Sequence, residues 1–97
     1  MLHYEVTLRV PENLRATWEA YLPGHVADIY ATGCFQGAAI WRSDDGAYQS
    51  SYAAANRADL DRYLSEFAPA MRADVATRFP GIEISRAVWT EWHRFGP

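Results

Sequence analysis

Two hydrophobic periodicities alternate along this 97-residue chain, and their order restricts the fold more than any other feature of the sequence. Residues 2–10 alternate apolar and polar side chains, which is the period of a half-buried β-strand. Residues 12–31 place apolar side chains at three- and four-residue steps, which predicts a helix. The remaining segments predict two strands, a helix and a last strand over residues 34–44, 47–54, 56–79 and 82–90. The predicted order of elements is therefore β-α-β-β-α-β.

This order of elements indicates an α+β fold. Two strand-helix-strand halves joined by a hairpin pack most simply as a four-stranded antiparallel sheet with both helices on one face. This arrangement is the ferredoxin-like plan, and a chain of this length suits one such domain over residues 1–97. The second face of the sheet is then free to meet water, a partner sheet or a cavity.

The hairpin between the second and third strands carries a turn signal. Asp45-Gly46 is a favoured pair for two-residue turns. Counting outward from a turn of that length places Trp41 on one face with Tyr48 and Tyr52. The opposite face then carries Ile40, Arg42, Gln49 and Ser51.

Two prolines interrupt the helical segments. Pro23, within the first segment, cannot donate a backbone hydrogen bond, which predicts a kink or a division into two short helices. Pro69, within the second, predicts that the helix restarts near Ala68.

Composition excludes several classes of function. The nine basic residues, all arginine, are interleaved with twelve acidic residues, so no basic stripe is available to bind nucleic acid. No signal-like segment and no 18-residue apolar run is present, so we expect no membrane interaction and a cytoplasmic location. The single cysteine, Cys34, cannot form an internal disulfide or a thiolate cluster, and it is interpreted as a small buried hydrophobe rather than a nucleophile.

His25 and Asp28 are the first candidates for chemistry. They lie three residues apart and therefore on one face of the first helix. A carboxylate beside an imidazole fixes its tautomer and raises its basicity, as general-base catalysis requires. The alternative is that His25 makes a hydrogen bond near the proline and Asp28 is solvated. A third metal ligand is not evident, so no metal site is predicted.

Arg86 and Tyr52 are candidate ligand-binding residues. Arg86 lies within the last strand, where it could bind a carboxylate at a cavity or form an ion pair with Glu5 of the first strand. Tyr52 could contact a ligand or serve as a core aromatic residue. The sequence leaves both alternatives open.

Four segments of the sequence resemble a family of small bacterial proteins, the domain of unknown function DUF4286. They are YEVTLRV, HVADIYATGCF, YLSEFAPAMRADVATRF and SRAVW, within Tyr4 to Trp89. Two positions depart from the family pattern: Ser51 stands where glutamine is common, and Phe67 where histidine is common.

The resemblance implies a dimeric α/β-barrel, in which two ferredoxin-like subunits press their sheets together beside a cavity. It therefore implies a homodimer that binds a small organic molecule without a metal or nucleotide cofactor. Relatives in that broad group include cofactor-free oxygenases and isomerases, so His25, beside Arg86 and Tyr52, is the candidate proton-transfer residue. The alternative is a non-enzymatic module whose second sheet face and aromatic tail serve self-association or docking to another protein.

Overall fold

The computed structural model describes every residue from Met1 to Pro97 and contains one four-stranded sheet with its helices. The elements are β1 Leu2–Arg9, α1 Arg15–Tyr30, β2 Gly37–Arg42, β3 Ala47–Ala54, α2 Arg57–Arg62, α3 Ala68–Arg78 and β4 Ile84–Thr90. A short 3-10 turn, Glu12–Leu14, precedes α1, and a π-helical turn, Tyr63–Phe67, joins α2 to α3. The strand order is β2-β3-β1-β4 and every neighbouring pair is antiparallel. The ferredoxin-like prediction is confirmed.

The core lies between the helices and one face of the sheet. In β3, buried and half-buried residues alternate strictly, which places Tyr48, Ser50 and Tyr52 beneath the helices. The helix α1 buries residues at three- and four-residue steps against them: Trp18, Leu22, Val26 and Ile29. Seventeen buried apolar residues form one cluster. Cys34 is one of them, in agreement with its interpretation as a small buried hydrophobe.

The β2–β3 hairpin corrects the predicted register. Its loop is Asp44–Gly46, three residues long, because Ser43 rather than Asp44 bonds to Ala47. Gly46 takes a φ of 92°, as the last residue of such a loop requires. One extra loop residue reverses the faces of β2, so Trp41 pairs with Gln49 on the face away from the helices. The prediction that Trp41 belongs to the core face was therefore wrong.

The prolines have different effects in the two helical segments. The helix α1 continues through Pro23 from Arg15 to Tyr30, so the predicted division into two short helices does not occur. Its buried face, with Leu22 before the proline and Val26 after it, packs along the sheet and keeps the segment helical. The helix α3 begins at Ala68, as predicted.

The sheet face away from the helices, called here the open face, is mixed in character. His3, Glu5 and Thr7 of β1 lie on it half-buried. At its two edge strands, Trp41 is 60% and Trp89 58% exposed. Beyond β4, the segment Glu91–Pro97 has no regular structure and exposes its aromatic residues Trp92 and Phe95.

Candidate functional site

A small cavity lies between the sheet and the helices, and most of its lining is apolar. Its volume is about 40 Å³, which holds a few water molecules, whereas pockets for drug-sized ligands measure about 300–1,000 Å³. The polar residues that line it are Trp18, His25, Ser50, Tyr52, Arg72 and Arg86, together with Tyr4 and Tyr63. We call it the sheet–helix cavity. A larger molecule enters it only if flexible lining side chains such as Met71 move.

Three of the four residues singled out from the sequence line this cavity. His25 comes from α1, Tyr52 from β3 and Arg86 from β4. Asp28 does not line it; its side chain is exposed and makes no hydrogen bond to His25.

The register of β4 decides the position of Arg86. Arg86 lies opposite Val6 of β1, so its side chain is on the helix side of the sheet. Glu5, the neighbouring residue in β1, points to the open face. The hypothesis of an Arg86–Glu5 ion pair was therefore wrong, because the two side chains lie on opposite faces.

A chain of hydrogen bonds connects His25 to a carboxylate on another helix. The Tyr21 hydroxyl donates to Asp74 Oδ2 over 2.6 Å and lies 3.0 Å from His25 Nδ1. A phenol has one proton to donate, so Nδ1 must carry a proton and donate it to the Tyr21 oxygen. In the neutral ring, Nε2 is then unprotonated. It has no partner in the protein and is not fully buried.

The electrostatics of this hydrogen-bond chain favour an ionised Asp74, a protonated Tyr21 and a neutral His25. The hydrogen bond from Tyr21 lowers the pKa of Asp74, which keeps its carboxylate ionised. Burial raises the pKa of the Tyr21 phenol, so it remains a donor. Burial also lowers the pKa of His25, although the charges of Asp74 and Asp28 oppose that effect. His25 is therefore a neutral base at neutral pH, with Nε2 as its basic atom.

The lowered pKa of His25 predicts a pH dependence of stability. In the unfolded chain His25 protonates near the usual histidine pKa of about 6.5, whereas in the folded protein it protonates only at a lower pH. The free energy of unfolding should therefore fall as the pH drops from about 6.5 to the pKa of folded His25, and it should level off below that pKa. Urea unfolding between pH 8 and 5 should show this loss in the native protein. The His25→Gln variant should lack the part of this loss that comes from His25. Asp74, whose pKa is also lowered, acts in a separate window below about pH 4.

If the free energy of unfolding of His25→Gln falls by the same amount between pH 8 and 5, another group titrates in that range. The experiment also needs the urea dependence to remain two-state across the series.

Two arginines at the cavity have no acidic partner. Five of the other arginines pair with carboxylates within 4.0 Å, but neither Arg72 nor Arg86 does. Arg72 donates to the Tyr4 hydroxyl over 3.2 Å. Both guanidinium charges act to lower the pKa of Tyr63, which also lines the cavity, although burial raises that pKa overall. The cavity lining thus carries two positive charges.

The core side of the cavity holds an unpaired donor. Trp18 is 2% exposed, and its indole Nε1 is the one fully buried side-chain nitrogen or oxygen without a hydrogen-bond partner. Such a donor costs about 1–3 kcal/mol unless a bound group accepts from it. Burial raises the pKa of Tyr52, on the same lining, to about 12, so its hydroxyl remains protonated and available as a donor.

Sequence reasoning missed Tyr21, Asp74 and Arg72. Tyr21 lies four residues before His25, and this spacing on a helix could have suggested the contact. Asp74 is 53 residues from Tyr21 along the chain, and only the packing of α3 beside α1 brings them together. The two family-pattern departures lie off the cavity lining: Ser51 accepts a hydrogen bond from Trp41, and Phe67 stacks on Tyr63.

Two further features concern metals and membranes. No group of three or more histidine, cysteine, aspartate or glutamate side chains is arranged to hold a metal ion. No helix has the length and apolar character needed to cross a bilayer.

Several solved structures share the ferredoxin-like fold of this chain. SnoaB, a cofactor-independent oxygenase from Streptomyces nogalater, matches with a TM-score of 0.79 at 12% identity, over 99% of this chain and 97% of its own. Rv0793 from Mycobacterium tuberculosis matches with a TM-score of 0.75 at 15% identity, over 98% of both chains. A provisionally assigned antibiotic biosynthesis monooxygenase from Deinococcus radiodurans matches with a TM-score of 0.74 at 11% identity, over 100% and 98%. At such identities the likeness establishes the fold alone.

The family follows from the sequence itself. The chain belongs to the family described as domain of unknown function DUF4286, whose model matches residues 1–93. It matches no curated protein.

Proposed function

We propose that this protein is a homodimer that binds a small organic molecule in the sheet–helix cavity, where His25 Nε2 accepts a proton from the bound molecule. The observation that carries the proposal is the Asp74–Tyr21–His25 chain, which leaves Nε2 without a protein partner on a residue that lines the largely apolar cavity. A neutral imidazole oriented through Nδ1 is the arrangement that general-base catalysis requires.

Proton removal leads to one of two reactions without a metal or nucleotide cofactor. In an isomerisation, the proton returns to a different atom of the substrate. In a cofactor-free oxidation of a methylene group, the substrate carbanion supplies electrons to O₂, one oxygen atom remains on the carbon as a carbonyl, and the other leaves as water. The fold shared with a cofactor-independent oxygenase supports the second reaction class.

The remaining donors suit a developing negative charge. Tyr52, protonated at neutral pH, and the unpaired Trp18 N–H line the same cavity as His25. Hydrogen bonds from fixed donors stabilise an enolate more than the neutral ketone from which it forms. In this proposal His25 removes the proton, and these two residues stabilise the oxyanion.

The dimer is supported by the open face. Trp41 and Trp89 leave apolar area exposed at both edges of a sheet face that no helix covers. Burying such area against a second sheet is favourable by roughly 25 cal/mol per Å². The alternative, a non-enzymatic docking module, is favoured by the exposure of Trp92 and Phe95 in the tail, and it predicts no base activity at His25.

Deuterium exchange at acidic C–H groups tests the base directly. The probes are a panel of aryl ketones and β-keto esters in D₂O, followed by proton NMR with and without the protein. The native protein should accelerate exchange for at least one probe, and His25→Gln should lose about 10²–10⁴-fold of that acceleration. Glu66→Gln, which changes an exposed carboxylate that does not line the cavity, is the matched control and should keep it. No acceleration with any probe, or equal acceleration in folded His25→Gln, would contradict the proposal.

A further inference from the structure

Arg72 and Arg86 differ from most arginines of this protein in having no partner for their charge. Arg9, Arg42, Arg57, Arg78 and Arg94 each pair with a carboxylate, and Arg15 donates to backbone carbonyl groups instead. Arg72 and Arg86 come from different elements, α3 and β4, yet line the same cavity. A guanidinium is always charged in proteins. The fold therefore holds two cations in the lining of one mostly apolar space.

The position of Arg86 is unusual for a strand residue of the helix-side face. Its neighbours at alternate positions, Ile84 and Val88, are apolar, as is Val6 opposite it. An arginine in that row adds a second positive charge to a cavity lining that already includes Arg72. Tyr63 lines the same cavity, and both guanidinium charges act to lower its pKa, although burial raises that pKa overall. An anion bound between them would compensate both charges.

We infer that the sheet–helix cavity takes a small organic acid, whose carboxylate binds Arg72 and Arg86 while its apolar body faces the core side of the cavity. The inference rests on the proposed function, since it assumes that this cavity is the ligand site. Paired guanidiniums suit a planar carboxylate, because each presents a fork of N–H donors. Both arginine side chains are exposed, so the carboxylate can bind at the mouth of the cavity without entering the core.

The apolar remainder of the cavity gives the acid its orientation. The lining beyond the arginines is largely aliphatic and aromatic, with His25 and Trp18 as its polar groups on α1. With its carboxylate at the arginines, the rest of the ligand lies among these side chains, which include His25. In this proposal the arginines anchor the acid and His25 accepts the proton.

Ligand titration with matched acids and amides tests this inference. The probes are benzoate, phenylacetate and 2-naphthoate, each compared with its primary amide, and binding is followed by proton–nitrogen NMR of the labelled protein. At least one acid should bind ten-fold or more tightly than its amide, because the amide lacks the charge. Arg72→Gln and Arg86→Gln should each weaken that acid about ten-fold or more. Arg62→Gln, an exposed arginine of α2 with no acidic partner, removes the same charge away from the cavity and should leave binding unchanged.

Several outcomes would overturn the inference. They are equal binding of acids and amides, equal weakening by Arg62→Gln, and no binding of any acid to the native protein. A folding defect is detectable separately by thermal unfolding, where Arg86→Gln should unfold at nearly the native temperature because the Arg86 side chain is exposed and makes no hydrogen bond or ion pair. The ketone exchange experiment uses uncharged probes, so its result is independent. If the protein accelerates deuterium exchange but binds acids and amides equally, only this inference is wrong. If it binds acids selectively but does not accelerate deuterium exchange, the proton-transfer proposal is wrong.

Discussion

Replacing Trp18 with alanine is expected to lower the free energy of unfolding by about 3–5 kcal/mol, the usual cost of truncating a buried tryptophan. Trp18 is 2% exposed and packs edge-to-face on Phe79, with ring centroids 5.0 Å apart, and on Tyr48 at 6.5 Å. Domains of this kind have about 5–15 kcal/mol of total stability. The variant should therefore be close to unfolded at 37 °C, as measured by urea unfolding at 25 °C and by thermal denaturation.

The Trp18→Phe variant is the informative control. It keeps an aromatic ring against Phe79 and Tyr48 and removes the unpaired indole N–H. Removing an unpaired buried donor is favourable and offsets part of the free energy lost with the packing. The substitution should therefore lower the free energy of unfolding by less than about 1.5 kcal/mol. A loss in Trp18→Phe as large as in Trp18→Ala would show that the indole N–H has a stabilising partner.

Replacing Trp41 and Trp89 together with glutamate should convert the proposed homodimer into a monomer. The two residues lie at opposite edges of the open face, and in a sheet-to-sheet dimer the substitutions place four carboxylates in the interface. Burial of unpaired charges costs several kcal/mol each, more than the apolar contacts supply. Light scattering after size-exclusion chromatography measures the mass directly.

The exposed aromatic residue Tyr30, at the end of α1 and away from the open face, supplies the matched substitution Tyr30→Glu. That variant should remain a dimer. A monomeric native protein, or a double variant that is still dimeric, would show that the open face is not the interface.

The element order was predictable from sequence because each segment buries one face, and burial imposes a period of 2 or 3.6 on the apolar residues. The helix restart at Ala68 was predictable from Pro69, because proline is favoured in the first turn of a helix. The position of Trp41 was not predictable in this way, because it depends on whether the hairpin loop has two residues or three. Asp45-Gly46 is compatible with both, and one residue of difference exchanges the faces of the strand.

The candidate site was likewise predictable from sequence only in part. His25 was identifiable from its residue type and its position on a helix, but the partner that orients it was not. Asp28 is the nearest carboxylate in sequence on that face, whereas Asp74 is the one that α3 brings to Tyr21. The contact depends on how two helices lie side by side on the sheet, which no local pattern specifies. Arg72 became a candidate only in the structure, because the packing of α3 places it in the lining of the same cavity as Arg86.

Long-range proton–nitrogen NMR of the labelled imidazole shows whether Tyr21 and Asp74 hold His25 as a neutral base with Nε2 free. At pH 7.5 we expect a protonated Nδ1 and an unprotonated Nε2. In Tyr21→Phe, which lacks the acceptor for Nδ1–H, that tautomer should lose its preference. A native spectrum with the proton on Nε2, or an imidazolium at this pH, would contradict the account.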